Sequence, residues 1–285
     1  MRKRKPKRKR KEVRMEEELL HARIDTKVFK QRFSPVIRVM MMREYSTPLE
    51  SFHLSFDSGG MHVRELGASQ IALISMQIQK GEFEEYNCGK LASSVKVDCS
   101  PFKTALYLVD SDVFTLRVVK NTIEKDTVFE MIFEFDGGVA QFAIEKEEYV
   151  PPKIPDIRYK AKVEPAIAEI NPERFAKAIN KLRKVGGSLS INIGKNESYL
   201  CVSDDELNAK LPFSRVGTVS KVSGDVRSVF SIKYLKEVFS PELRRIRSAT
   251  IHVGEQCPIL IEFPTEHNKI RGKIQYWVAP RVETH

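Results

Sequence analysis

The stretch 171-NPERFAKAINKLRKV-185 is the most informative part of the sequence. Its opening Asn-Pro pair is a typical helix start, because Asn caps free N–H groups and proline has no N–H to leave unpaired in the first turn. Phe175, Ile179 and Leu182 recur at helical spacing and define an apolar face. We therefore predict an amphipathic helix that ends at Gly186 and Gly187.

A second face of this helix is basic. Arg174, Lys177, Lys181 and Lys184 recur at intervals of three or four residues, and acidic residues are missing beyond the first turn. A helix face that is merely solvated usually mixes charge signs, so a stripe of one sign indicates a polyanionic partner. Contacts from such residues to phosphates give affinity without sequence readout. The other helical positions predicted to contact phosphates are Lys27, Lys30, Arg32, Lys103, Lys233 and Lys236.

Charge is distributed unevenly along the 285 residues. The net charge is +10, and residues 1–14 account for +9 of it with ten Lys or Arg and one Glu. Because the rest of the chain is nearly neutral, any nucleic-acid contact there depends on segregated charge. The tail 1–14 has almost no apolar residues, so we expect it to be disordered. It is either a DNA-binding or targeting arm, or a segment upstream of a true start at Met15.

Outward from residues 171–185, the same order of elements is predicted twice: strand, helix, hairpin, strand, helix and final strands. The first half begins with a strand at 19–24 and a helix capped by Thr26, which Pro35 should kink or restart. Its second helix is predicted to start at the Ser100–Pro101 pair. In the second half, the first strand is predicted at 159–163 and the last helix at 233–239.

The two halves meet at residues 145–157, which contain three prolines and four acids and are predicted to form an extended connector. The resulting fold class is α+β, with two similar domains of mostly antiparallel sheet and helices on one face. The predicted limits are 15–144 for the N-terminal domain and 158–285 for the C-terminal domain.

Several classes of protein are disfavoured by the motifs that the sequence lacks. No apolar run could span a bilayer, and no apolar segment of a secretory signal follows the basic start. Phosphate-binding, dinucleotide-binding and nucleophile-elbow motifs are absent, and a nuclease would need clustered carboxylates for its metal ions. We expect no enzymatic activity, no cofactor and no metal site. The four cysteines are scattered and are expected to be reduced, buried thiols: Cys88, Cys99, Cys201 and Cys257.

Several segments resemble the proliferating cell nuclear antigen (PCNA) family of DNA sliding clamps. A hairpin, 57-DSGGMHVREL-66, is followed by 69-SQIAL-73 and 83-FEEY-86 in the family's order. Near the other end, 230-FSIKYL-235 resembles the start of the family's last helix, and 276-YWVAPRVE-283 resembles its C-terminal motif. The resemblance covers roughly residues 15–283 and is archaeal in character, because a long acidic tail is missing. The basic tail has no counterpart in it.

The resemblance implies a trimeric ring around duplex DNA that acts as a polymerase processivity factor, either a homotrimer or a heterotrimer. Helices would line the channel, and residues 139–144 of one subunit would pair with residues 206–215 of the next. Implied partners are the replicative polymerase, the clamp loader, ligase and flap endonuclease, in the cytoplasm or, for a eukaryotic source, the nucleus.

The resemblance also implies a groove beneath the connector that binds peptide motifs of partner proteins. An alternative reading from the residues alone is a non-ring nucleic-acid-binding protein that acts through the basic tail. The apolar residues expected in the groove could instead be ordinary core residues. For Ile71 and Leu73, a role in the groove and a place in the core are about equally supported. The expected lining is Leu66, Ile71, Leu73, Val150, Ile154, Pro258, Trp277, Ala279 and Pro280.

Overall fold

A computed structural model describes residues 14–41, 50–67, 69–89, 93–123, 126–155, 163–204 and 206–281. The elements of the first half are β1 (Arg14–Asp25), α1 (Thr26–Met40), β2 (Ser51–Asp57), β3 (Gly60–Leu66), β4 (Ala72–Gln79), β5 (Glu85–Asn87), β6 (Ser94–Asp98), α2 (Cys99–Leu108), β7 (Val113–Ile123), β8 (Asp126–Phe135) and β9 (Gly138–Glu147). Those of the second half are β10 (Ala166–Ile170), α3 (Pro172–Leu182), β11 (Ser188–Ile193), β12 (Ser198–Ser203), β13 (Asn208–Pro212), β14 (Gly217–Lys221), β15 (Val226–Ser231), α4 (Ile232–Val238), α5 (Pro241–Arg244), β16 (Ala249–Val253), β17 (Ile259–His267) and β18 (Ile270–Val278).

The two halves repeat both the order of elements and the pairing of strands. Each half runs strand, helix, five strands, helix, three strands, with α5 as an additional short helix in the second. In the first half β1 pairs with β5 and β7, and in the second β10 pairs with β14 and β16. The predicted internal repeat and the α+β clamp fold are confirmed.

The strands of the two halves join in one sheet. A 14-stranded antiparallel sheet has the order β14-β10-β16-β17-β18-β4-β3-β2-β6-β9-β8-β7-β1-β5, and a second sheet has the order β13-β12-β11-β15. The junction is the pair β18 and β4, which runs from Ile274 opposite Met76 to Val278 opposite Ala72. The sheet is therefore continuous across both halves of the chain.

The limits proposed for the tail, connector and domains remain predictions. Strand β1 already includes Arg14, and the rest of the predicted tail lies outside the described residues. Strand β9 continues to Glu147, where it pairs with β6, so the predicted connector begins with sheet structure. Residues 148–155 have no regular structure, and the strand predicted at 159–163 lies outside the described residues except for Val163.

The helices form one layer against the sheets. Helix α1 contacts α2, α4 and α5, and α3 contacts α4 and α5. Aromatic rings fill the space beneath α1: Phe29 stacks on Phe33 at 4.4 Å between ring centroids and meets Phe114 edge-on at 5.0 Å. Burying each such side chain contributes about 1.5–3 kcal/mol, so this packing fixes α1 to the first half of the sheet.

The helix ends differ from the prediction at two places. Asp25, not Thr26, caps α1, and its carboxylate accepts from the N–H groups of Lys27 and Val28. Pro35 lies inside α1, which continues to Met40 without a restart. Helix α2 begins at Cys99 after Asp98, so the predicted start, with Ser100 as the cap and Pro101 as the first helical residue, is two residues late.

The second half confirms the cap of α3 and corrects its end. Asn171 accepts from the N–H of Arg174 at 2.9 Å, as the Asn-Pro start predicted. Helix α3 ends at Leu182, four residues before Gly186, and the chain continues in turns. The sequence pattern had also missed β14, a short and largely exposed strand at one edge of the large sheet.

A buried ion pair ties α1 to the turn that follows β4. Arg32 donates to the carboxylate of Glu82, and the two side chains are 1% and 0% exposed. The other carboxylate oxygen of Glu82 accepts the N–H of Gln79 at 2.9 Å. Burial lowers the pKa of the Arg32 guanidinium, and the Glu82 charge acts in the opposite direction. Neither charge has access to water, so each depends on the other.

Replacing one partner of this pair should destabilise the protein strongly. Arg32→Met leaves the Glu82 carboxylate buried without its counter-ion, which should lower the free energy of unfolding by about 3–5 kcal/mol. The double variant Arg32→Met/Glu82→Gln removes both charges and should recover part of that loss. Urea denaturation measures both values. The control is Arg38→Met, on the same helix but exposed, with an expected change within about 0.5 kcal/mol. Equal stability of Arg32→Met and wild type would contradict the pair's role.

Candidate nucleic-acid interface and partner groove

The exposed face of α3 is cationic. Arg174, Lys177 and Lys181 are exposed on the helix and Lys184 is exposed in the turn that follows it, whereas Phe175 and the other apolar residues of the helix are buried. The ammonium of Lys177 lies 2.6 Å from the Glu173 carboxylate, so part of its charge is balanced within the first turn. The stripe predicted from the sequence is thus present on the side of the helix layer that faces away from the sheet.

The other helices add cations to the same layer. Lys27, Lys103 and Lys233 are exposed, whereas Lys30 and Lys236 are half-buried. The ammonium of Lys30 donates to the carbonyl of Val109 at 2.5 Å, which joins α1 to the end of α2. These five lysines are accessible enough to contact phosphates, and their role in DNA binding remains a prediction.

The prediction for Arg32 is wrong. Its side chain is 1% exposed and paired with Glu82, so it cannot reach DNA. The sequence contains the signal that would have excluded it: Arg32 lies three residues after Phe29 and next to Phe33, within the apolar face of α1.

An apolar row crosses four neighbouring strands on the sheet face opposite the helices. Leu66 in β3 is opposite Leu73 in β4, Leu73 is opposite Trp277 in β18, and Trp277 is opposite Leu260 in β17. These four residues form a cluster separate from the main core. We call them the outer apolar row. Leu260 was not predicted, although its alternation with buried Ile259 and Ile261 indicates the opposite face of β17.

The remaining groove residues fall into two groups. Val150 and Ile154 in the connector are 89% and 45% exposed, which is unusual for large aliphatic side chains. Ile71 packs against the main core and its carbonyl accepts the N–H of Ala279 at 2.8 Å, so it lies apart from the row. Pro258, Ala279 and Pro280 are half-buried.

A cluster of polar side chains around Tyr149 holds the start of the connector beside the outer apolar row. The Tyr149 hydroxyl lies 2.8 Å from the carbonyl oxygen of Arg64 and 2.9 Å from the Glu65 carboxylate, and its ring stacks on His53 at 3.8 Å. Burial and the Glu65 charge raise the pKa of Tyr149 well above its usual value, so the phenol stays protonated and able to donate. These contacts hold Tyr149 against β2 and β3.

A second polar group borders the other end of the row. Glu262 lies two residues from Leu260 on the same face of β17 and accepts from His252, Lys273 and Gln275. The hydrogen bond with His252 and those from the other two partners lower the pKa of Glu262 to about 2. Its carboxylate is therefore ionised at neutral pH. Charged rims around an apolar centre are typical of protein-binding surfaces.

The four cysteines are free thiols. Cys99 and Cys257 are buried, but Cys88 and Cys201 are only half-buried, so the expectation that all four are buried is half right. Within the described ranges, no helix has the length and apolar character needed to cross a membrane.

The comparisons with known proteins point to one family, although no protein-family model matches the chain. The curated "DNA polymerase sliding clamp" of Archaeoglobus fulgidus is 25% identical over 235 residues, which cover 81% of this chain and 89% of that protein. "DNA polymerase sliding clamp 3" of Sulfurisphaera tokodaii is 25% identical over 244 residues, covering 82% and 92%. The clamp of Methanosarcina barkeri is 21% identical over 227 residues, covering 79% and 86%.

Solved structures agree with the sequence matches in fold. The structure described as "C-terminal region of FEN-1 bound to A. fulgidus PCNA" matches with a TM-score of 0.70 and 20% identity over 93% of this chain and all of that one. A "PCNA2-PCNA3 complex from Sulfolobus tokodaii" matches with a TM-score of 0.66 and 19% identity over 92% of this chain and all of that one. Together with the repeated order of elements, these matches support the resemblance to archaeal sliding clamps of the PCNA family, and the solved structures show that the chain has the fold of those clamps.

Proposed function

We propose that this chain is one subunit of a ring that encircles duplex DNA and serves as a processivity factor, tethering replication and repair enzymes without catalysis of its own. The observation that carries the proposal is the internal repeat. Strands β18 and β4 join the two halves of the chain within one subunit. The two strands at the equivalent positions of the repeat do not pair with each other in the same way.

The strands at these equivalent positions are β9 and β13, and among the residues that the structure describes each has a free edge. By their order in each half, β9 corresponds to β18 and β13 corresponds to β4. Within the described ranges, β13 pairs only with β12, and residues 139–143 of β9 pair only with β8. Apolar side chains are exposed at both edges, Val139 in β9 at 62% and Leu207 just before β13 at 54%.

A second copy can therefore repeat the internal junction through β9 and β13. Such a head-to-tail contact generates a ring when its rotation closes, and closure removes exposed sheet edges. Three copies would give six similar repeats, as the family resemblance implies. The copies are either identical or related chains, and the PCNA2-PCNA3 structure of Sulfolobus tokodaii is a neighbour of the second kind.

The continuous sheet supports a proposal for which face meets DNA. It would form the outside of the ring and place the helix layer, with the α3 stripe, on the inside. Lysine and arginine contacts to phosphates bind any sequence and permit sliding, because they carry no base information.

The outer apolar row and the exposed connector residues fit a docking site for partner peptides. An apolar anchor in a row of Leu and Trp side chains supplies affinity, and the ordered connector start supplies one wall. By the family resemblance, the partners are the polymerase, the clamp loader, ligase and flap endonuclease. The related Archaeoglobus fulgidus PCNA is described bound to the C-terminal region of FEN-1. We place the protein in the cytoplasm of an archaeal-like cell.

The competing function, DNA binding through the basic tail alone, is separable by deletion. A variant that begins at Met15 should keep retention on circular DNA if the ring is responsible, because the helix layer is intact. Loss of retention on that deletion would favour the tail.

Charge reversal at the C-terminal end of the α3 stripe, at Lys181 in the helix and Lys184 in the turn after it, should weaken retention on DNA. Lys181→Glu/Lys184→Glu removes two expected phosphate contacts, so the slope of log affinity against log salt should fall by about 0.9 per contact. The control, Lys195→Glu/Lys269→Glu, makes the same change in net charge at two hairpin turns outside the helix layer. Retention of loaded clamp on nicked circular DNA, measured by gel filtration over a range of salt, compares them. Identical slopes for both variants would exclude α3 from the DNA contact.

One position in β9 allows the proposed subunit interface to be tested without disturbing the fold of the subunit. The turn at residues 136–137 closes β8 and β9 with Phe135 opposite Gly138, so Gly138 and every second residue after it donate to β8. Gln141 lies between those donors, and its N–H points to the free edge. Its side chain is exposed, whereas Phe142 contacts Phe133 at 6.1 Å between centroids in the core.

Gln141→Pro should therefore shift the assembly toward monomers or open arcs. Proline removes one outward donor and crowds the incoming strand, while the bonds to β8 remain. Loss of one hydrogen bond alone costs about 0.5–1.5 kcal/mol at each interface. Multi-angle light scattering gives the mass, and Gln141→Ala, which keeps the N–H, should stay assembled. An intact ring from the proline variant would mean that β9 is not the interface strand.

The docking site is tested best at Ile154. Trp277 is a poor target, because it is 3% exposed and packs between Leu73 and Leu260, so its truncation would disturb the sheet face. Ile154→Asp should weaken binding of a peptide from the C-terminal region of flap endonuclease at least about tenfold, as loss of an apolar anchor does. Calorimetry measures the affinity. Val128→Asp, an equally exposed aliphatic in β8, should bind like wild type; unchanged affinity in Ile154→Asp would place the site elsewhere.

A further inference from the structure

The helix layer contains a cavity of about 720 Å³ where the two halves of the chain meet. Helices α1 and α2 of the first half and α4 and α5 of the second line it. A volume of this size is in the range of small-molecule and nucleotide sites. In the ring proposed above, this opening lies on the channel side, among residues that face DNA.

The cavity combines positive charge with apolar surface. Its wall contains at least three cationic and at least three apolar side chains, whereas a helix face that is only solvated has few apolar side chains. The cations are Lys30, Arg38, Lys103 and Lys233, and the apolar side chains are Ile37, Met41 and Leu106.

An exposed aromatic ring stands at the rim. Tyr107 lines the cavity and is 84% exposed, and no other aromatic side chain among the described residues is left exposed. A large ring in water gains nothing for the fold, since burial is the source of aromatic stabilisation. Proteins that bind single-stranded nucleic acid place such rings beside cations, because bases stack on the ring while the cations hold the backbone.

Two carboxylates argue against a simple phosphate site. Glu237 and Glu242 also line the cavity and would repel an isolated phosphate. Glu242 lines the cavity although one of its oxygens is buried without a hydrogen-bond partner among the described residues, so a ligand in the cavity would meet the other oxygen. A carboxylate of this kind accepts well from the exocyclic amine of a base, as acidic residues do from cytosine N4.

We propose that this cavity binds one unpaired nucleotide of a DNA strand inside the ring. The base stacks on Tyr107 and presents an exocyclic amine to Glu242, while the lysines hold the flanking phosphates. A paired base cannot enter, because both its faces are stacked and its Watson–Crick edge is occupied. The site would thus make the clamp pause at gaps and single-stranded junctions. The inference rests on the proposed function, which places the helix layer against DNA.

The test is photocrosslinking of loaded clamp to circular DNA with a short single-stranded gap that contains 5-iodocytosine. Retention on the circle, measured first by gel filtration, tests the ring itself, so failure of the proposed function is seen separately. We expect an adduct on Tyr107, identified by mass spectrometry, from the gapped circle and not from a circle with the same base in duplex. Adducts only elsewhere, or equal yields from gap and duplex, would overturn the proposal.

Variants separate stacking from general charge. Tyr107→Ala should lower the yield of the adduct at the cavity about tenfold, in line with the strength of base–aromatic stacking. Tyr107→Phe should keep an adduct at residue 107, because the ring is retained. Leu108→Ala, at the neighbouring exposed apolar side chain outside the cavity lining, should match wild type. An undiminished yield at the cavity in Tyr107→Ala refutes the stacking role.

Competition identifies the group that reads the base. Unlabelled hexadeoxycytidylate should suppress the Tyr107 adduct at about fivefold lower concentration than hexathymidylate, because only cytosine offers an amine to Glu242. Equal competition by both would overturn the assignment of Glu242.

Discussion

The pairing of β18 with β4 is the contact on which the rest of the architecture depends. Five residues of each strand face one another, from Ile274 opposite Met76 to Val278 opposite Ala72. This ladder converts two sheets of similar halves into one, and it aligns the helices of both halves in a single layer. Without it, α1 would have no reason to contact α4 and α5, and the cavity between them would not exist.

The same junction builds the outer face. Leu73 and Trp277 meet only because β4 and β18 are neighbours, and Leu66 and Leu260 extend the row into the next strand on either side. One backbone ladder therefore positions a basic layer on one face and an apolar row on the other. The two faces of one sheet thus separate the cations proposed to contact DNA from the apolar residues proposed to bind partner proteins.

Features that are set within a few residues, such as helix starts and charged helix faces, could be predicted from the sequence. The pairing of strands far apart in the chain could not. The Asn-Pro start of α3 and its cationic stripe could be predicted because both are set within one or two turns. Arg32 was misplaced because its charge was counted and its position on the apolar face was not. The N-cap positions, Asp25 for α1 and Asp98 for α2, were assigned instead to the later residues Thr26 and Ser100, which have similar capping ability.

The continuity of the sheet across both halves left no mark in the sequence, because antiparallel pairing between strands some 200 residues apart depends on backbone groups that every residue carries. Leu260 and β14 were missed for related reasons: one is a single residue in an alternating strand, and the other is a short edge strand with exposed positions. Backbone pairing also explains how a fold can be shared by chains that are only 19–25% identical. An edge that joins subunits, as proposed for β9 and β13, needs free N–H and C=O groups and the right twist, and these constrain side chains only weakly. In that proposal, the exposed side chains at the two edges, such as Val139 and Leu207, would decide which copy, identical or related, is accepted as the neighbour.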